Sequence, residues 1–196
     1  PKLAPIQVVI IPIFKSDEDL NEIKNYLEEI NNQFQNKKIR FHLDDRKKMS
    51  PGFKFNEWEM KGVPIRIEIG PRDIKNNQIF VARRDTSEKF SLDINEASKK
   101  IECLLEEIQN NLFKSALNFR QENTFQVKDY MEFKDVIKKG GFIECGWDGS
   151  RETEDKIKKE TKATIRCIPF KGKTNDLKCI YSGKQAKYNV VFAKAY

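Results

Sequence analysis

The sequence predicts an α/β fold, a mixed or parallel sheet flanked by helices, followed by a small α+β unit. Three observations carry this reading. Over residues 6–121, apolar runs of strand length alternate with apolar residues at helical spacing, the order that builds a sheet covered by helices. In Pro64-Ile65-Arg66-Ile67-Glu68-Ile69-Gly70 isoleucines alternate with charges, the period of a strand with one buried face. After a long helical stripe ends near Gln121 the pattern restarts on a smaller scale, which divides the chain into domains of residues 1–123 and 124–196.

The elements follow in order. The apolar run Ile6 to Ile13 reads as a buried strand. Ser16 and Asp19 then cap one amphipathic helix whose stripe is Leu20, Ile23, Leu27, Ile30 and Phe34. Arg40 to Leu43 is a second strand. Phe53 to Lys61 has no helix breaker and is ended by Gly62-Val63-Pro64, since glycine tolerates positive φ and the residue before proline avoids helical angles. Pro64 to Ile69 and Gln78 to Arg83 are strands on either side of a turn at Lys75-Asn76-Asn77. Asp93 and Glu96 open a long helix striped by Ile94, Ala97, Ile101, Leu104, Leu105, Ile108, Leu112, Ala116 and Phe119.

In the second unit Met131, Phe133, Val136 and Ile137 predict a helix broken by Gly140-Gly141. Phe142 to Cys145 is a short strand, and Arg151 to Thr161 a charged helix with acids first and lysines later, as the helix dipole favours. Thr164 to Phe170 and Asn189 to Phe192 are β-like. A hydrophobic fraction of 38% beside a charged fraction of 34% suits a globular chain with a packed core, and no apolar run approaches membrane-spanning length. The net charge of +7 permits binding to phosphate backbones without requiring it. Pro1-Lys2-Leu3-Ala4-Pro5 lacks an initiator Met and a signal-peptide pattern, so the chain reads as a piece of a longer protein.

The stretch Asp44 to Asp73 concentrates the candidate binding residues. Strand alternation puts Arg66 and Glu68 on one outer face. Glu59, at the end of the preceding short helix, can approach that face across the turn, setting an acceptor-only carboxylate beside a five-donor guanidinium. Guanine uses both: its Watson-Crick edge offers donors to a carboxylate, and its O6 and N7 accept from arginine. The plain alternative is a surface ion pair. Phe53, Phe55 and Trp58 are candidates to stack on bases, although aromatics in a short helix are more often core.

Pro1 to Ile13, the block from Leu43 to Asp73 and the ending Val191-Phe192-Ala193-Lys194-Ala195-Tyr196 resemble prolyl-tRNA synthetases of the eukaryote-like, archaeal-type branch, over essentially the whole chain. The resemblance implies the class II synthetase anticodon-binding fold, then a C-terminal domain peculiar to that branch. It implies that the two guanines of proline anticodons are read by Glu59, Arg66, Arg72, Asp73 and Lys89; Lys54, with Arg72 and Lys89, is expected to add charge near the phosphates. It also implies a cytoplasmic, homodimeric parent that activates proline with ATP and Mg and esterifies it to tRNA for proline, while this piece, monomeric by itself, carries no catalytic residue. Tyr196, by the same likeness, helps hold the C-terminal domain to the catalytic one.

Zinc-binding members of that family have C-x4-C and C-x2-C pairs. Here Cys145 and Cys179 keep one position of each, while Ser150 and Ser182 replace the others, so zinc is not expected. Cys167 reads as a buried core thiol and Cys103 as partly exposed, and without a disulfide framework a reducing cytoplasm is the expected setting. His42 reads as a structural strand residue, and Asp44 and Asp45, adjacent in extended chain, point apart. No nucleotide-binding glycine fingerprint is present. The other readings are a free-standing RNA-binding module, a small nucleotide-dependent enzyme, and the same domain of a threonyl, histidyl or glycyl synthetase.

Overall fold

The computed structural model describes residues 1–170 and 176–194. They form two compact units, Pro1–Lys114 and Ser115–Tyr196, and the division falls inside one long helix. Tyr196 and its expected docking role lie outside the described residues.

The first unit is a five-stranded mixed sheet in the order β2-β1-β3-β4-β5, built from β1 (Val8–Pro12), β2 (Phe41–Leu43), β3 (Ile65–Ile69), β4 (Gln78–Arg83) and β5 (Lys89–Asp93). Strands β2, β1 and β3 run parallel, and β4 and β5 add antiparallel. The central β1 is buried throughout. Val8 and Ile10 face a core completed by α1 (Asp17–Tyr26), α2 (Glu28–Asn36) and α5 (Ile94–Glu122), whereas Val9 and Ile11 face Trp58 of α3 (Pro51–Met60) and Val63 just beyond it.

The alternation in β3 is realised residue by residue: Ile65, Ile67 and Ile69 have no exposed surface, while Arg66 and Glu68 are partly exposed on the α3 face. Burying one isoleucine contributes about 1.5–3 kcal/mol, against about 0–1 kcal/mol for a surface ion pair, so the isoleucines set the register and the charges follow. Gly62 ends the turn after α3 with φ of 78°, the conformation expected of it.

Several expectations change. The single helix expected from Leu20 to Phe34 is divided at Leu27 into α1 and α2. Pro71–Lys75 forms a short helix, α4, ahead of the expected turn. Between the expected strand Gln78 to Arg83 and the long helix a further strand forms: Lys89 begins β5, whose Phe90 and Leu92 alternate with polar residues. In the α5 stripe the residues from Ala97 to Ile108 are buried, while Leu112, Ala116 and Phe119 are exposed.

The second unit holds a four-stranded sheet ordered β6-β7-β9-β8, from β6 (Thr124–Phe125), β7 (Phe142–Trp147), β8 (Ala163–Cys167) and β9 (Tyr188–Lys194). Helices α6 (Tyr130–Lys139) and α7 (Arg151–Thr161) bury Phe133, Ile137 and Ile157 against Ile143, Val190 and Phe192. Cys167 is exposed rather than buried, because an irregularity between Ile165 and Cys167 shifts the β8 register and turns the strand end outward.

Candidate nucleic-acid interface

Cross-strand pairing places His42, Val9, Arg66, Ala82 and Lys89 in one row across the sheet, all on the α3 face. Arg66 and Lys89 are two strands apart, about 10 Å between backbones at ordinary strand spacing. Only the methyl group of Ala82 stands between them. This leaves a groove of about 220 Å³, walled by Phe55, Trp58 and Glu59 of α3, floored by Val9, Arg66 and Ala82, and rimmed by Arg84, Ser87 and Lys89.

Arg66 is fixed on two sides. Its guanidinium lies over the Phe55 ring, 4.1 Å from the centroid, and its Nε donates to Glu68 Oε1 at 2.9 Å. A terminal nitrogen also reaches Glu68 Oε1 at 2.9 Å, so the ring and the carboxylate pre-orient the group and leave its other terminal nitrogen for a ligand. The ion pair that was the plain alternative is therefore made with Glu68, not Glu59. Glu59 is exposed on the groove wall and has no side-chain partner among the described residues. The groove thus presents oriented donors and an unpaired acceptor together.

Arg72 and Asp73 are not in the groove. They lie on α4 beyond the C-terminal end of β3, where Asp73 Oδ2 accepts from the Gly70 N–H at 2.8 Å and fixes the start of that helix. Arg72 is exposed, without a side-chain partner among the described residues. Of the aromatic candidates, Phe53 is exposed, Phe55 carries Arg66, and Trp58 is core.

Asp44 is the buried anchor of the α3 wall. Its carboxylate accepts from Trp58 Nε1 at 2.7 Å and from Arg46 Nε and a terminal nitrogen at 2.8 and 2.7 Å. Lys54, expected near phosphates, is buried instead: its ammonium donates to the Asp44 carbonyl at 2.9 Å and lies 3.7 Å from the carboxylate. Burial by itself would raise the Asp44 carboxyl, but the Arg46 and Trp58 hydrogen bonds and the Lys54 charge outweigh it and hold the group well below the usual carboxylate range. Asp45 points the other way and binds Lys24 at 2.6 Å. His42 packs against Trp58 with ring centres 4.9 Å apart and ring planes tilted by 45°.

In the second unit, Gly146 brings Cys145 and Cys179 into neighbouring positions. Residues 178–180 pass so close that a Cβ on Gly146 would lie 2.5 Å from the Lys178 carbonyl oxygen. The donors around these thiols do not fit tetrahedral zinc. Ser182 Oγ donates to Asp148 Oδ2 at 2.6 Å, and Ser150 Oγ caps α7 by accepting from the Thr153 N–H at 3.3 Å. Thr153 Oγ1 and the Ser150 N–H also donate to Asp148, at 2.9 and 3.0 Å. The hydroxyls at two ligand positions of zinc-binding relatives are thus engaged with a carboxylate or a helix end, and Asp148 joins the two turns.

Residues 7–104 match the family model described as Anticodon binding domain, and residues 130–196 the one described as Prolyl-tRNA synthetase, C-terminal. The sheet, its α3 wall and the groove are accordingly those of an aminoacyl-tRNA synthetase anticodon-binding domain. Among similar proteins are ones named proline-tRNA ligase from Porphyromonas gingivalis, 46% identical over 196 residues, Flavobacterium psychrophilum, 49% over 197, and Alkaliphilus oremlandii, 47% over 201. Each alignment takes in 100% of this chain and 40% of the relative. The chain belongs to the prolyl-tRNA synthetase family and carries its anticodon-binding and C-terminal parts.

Two outcomes test this account of the site. Asp44→Asn leaves Lys54 buried against a neutral amide and lowers unfolding free energy in denaturant by about 3–5 kcal/mol; a loss below about 1 kcal/mol contradicts the anchor. Since the folded pKa lies below the unfolded one, the Asp44 contribution is complete above about pH 5 and is lost as pH falls through the folded value, so the gap to Asp44→Asn closes only in strong acid. Asp148→Ala orphans hydroxyl and amide donors, each costing about 1–3 kcal/mol where water does not replace the acceptor. Hydrogen exchange then shows earlier opening at residues 147–153 and 178–183, and unchanged protection there sinks the assignment.

Proposed function

We propose that this chain selects tRNA for proline by reading the two guanines of its anticodon in the groove between α3 and the β4–β5 turn. Glu59 accepts from the Watson-Crick edge of one guanine, and Arg66 donates to base acceptors from its seat on Phe55. Lys89, in the same cross-strand row, supplies a second cation. Arg72 and Asp73, at the end of β3, meet the neighbouring part of the anticodon loop. The observation that carries this reading is the juxtaposition of an oriented guanidinium and an unpaired carboxylate in one groove.

The whole protein of which this is a part, on this reading, activates proline with ATP and Mg and transfers it to the tRNA, working as a cytoplasmic homodimer. On the same reading the functional domains meet at residues 123 and 124, just past the end of α5, although the compact units divide within that helix. The free-standing module and the threonyl, histidyl and glycyl readings gain no specific support, whereas the C-terminal match and the relatives' names favour proline.

Arg66→Ala is expected to cost about 1–3 kcal/mol of discrimination between proline tRNA and a transcript with one anticodon guanine replaced, measured by filter binding. Equal weakening on both RNAs defeats the assignment. Ala82→Leu, which fills the groove without altering a charge, is expected to abolish the discrimination while leaving the thermal midpoint within a few degrees.

A further inference from the structure

Adjacent arginines at the end of β4 have opposite surroundings. Arg83 pairs with Ile65 in the sheet and sends its side chain to the α5 face, while Arg84, one residue past β4, lies on the turn that borders the groove, which both residues line. Arg83 is nearly buried and fully engaged. Its Nε and a terminal nitrogen hold Asp85 at 3.2 and 3.0 Å, and its other terminal nitrogen lies 3.4 Å from Glu107 of α5. Asn111, one helical turn on from Glu107, donates to Asp85 Oδ2 at 2.8 Å. The Asp85 side chain is 2% exposed, so the turn that follows β4 is clamped to the long helix from below.

Arg84 sits on that clamped turn with its backbone N–H bonded to the Pro64 carbonyl at 3.0 Å, and its exposed side chain has no partner among the described residues. Ser87, with φ of 60°, and Lys89 complete the same rim. Arg66, by contrast, is 13% exposed and lies at the floor. The groove therefore has a deep guanidinium placed for base edges and an outer cation pair placed where a backbone passes over the rim. An unpaired guanidinium on a fixed turn is suited to a phosphate, which it can hold through two parallel N–H donors.

We propose that Arg84 is a phosphate contact of the anticodon loop, gripping the backbone that joins the two bases in the groove. This rests on the tRNA-reading function above and adds to it a residue that supplies affinity without base choice. Arg83, though identical in type and adjacent in sequence, is a positioning residue that holds the turn.

The test is binding of the full chain to two transcripts, proline tRNA and the same tRNA with both anticodon guanines replaced by adenine, across a salt series. Arg84→Ala is expected to weaken both by the same factor and to lower the slope of log affinity against log salt by about 0.7–1, with Arg84→Lys keeping the slope. Unchanged affinity and slope overturn the proposal, as does a loss confined to the guanine-bearing tRNA, which would make Arg84 a base reader. If the unaltered chain does not distinguish the transcripts, the guanine-reading function fails, and the change in slope still decides for or against the phosphate contact.

Discussion

Asp44 stands at the end of β2 with its carboxylate out of water, and the α3 side of the binding face is tied to it. Trp58 and Lys54 reach it from α3, and Arg46 closes over it from the following turn. A buried carboxylate is costly unless donors surround it, and here they come from the helix that carries Phe55 and Glu59. The charge therefore fixes where α3 lies over β1 and β3. Arg66 in turn takes its orientation from Phe55, so the guanidinium aimed into the groove depends on a carboxylate that has no contact with the groove itself.

The opposite wall is set by a different rule. Arg83, the last residue of β4, is consumed in the contact with Asp85 and α5, while Arg84 on the turn just beyond is left exposed at the groove. Strand period aligns Arg66, Ala82 and Lys89 in one row. A small residue in the middle of that row is what makes the hollow, since a longer side chain at position 82 would occupy it. Binding chemistry and packing thus use alternate residues of the same strands.

Much of this was legible in the sequence, and the failures have physical causes. The isoleucine alternation of β3 placed Arg66 correctly because apolar burial outweighs the energy of surface charges. Glu59 was placed beside it by the short turn at Gly62. No strand is predicted at Lys89 because β5 opens with a lysine and carries serine and aspartate on its exposed side, which weakens its apolar signal. Composition points Lys54 to phosphates because it cannot foresee a buried ammonium; the signal is Asp44, whose burial requires cations nearby. Arg84 carries no signal of its own in the sequence, since two adjacent arginines look alike until their surroundings are known. Cys167 followed the alternation of β8 only as far as the irregularity in its register.

In the C-terminal unit, Asp148 gathers donors from two turns that zinc-binding members of the family join through thiolates, so a hydrogen-bonded carboxylate can tie the same segments. In the other unit, the proposed reading has Glu59 accept from guanine while Arg66 donates to base acceptors. It is tested most directly by replacing each anticodon guanine in turn with inosine, which removes only the 2-amino donor, and measuring binding to the unaltered chain and to Glu59→Ala. The account predicts that inosine at one position weakens binding to the unaltered chain by about tenfold, or roughly 1.4 kcal/mol, and has no effect on Glu59→Ala. An equal loss in both proteins, or none in either, would contradict it.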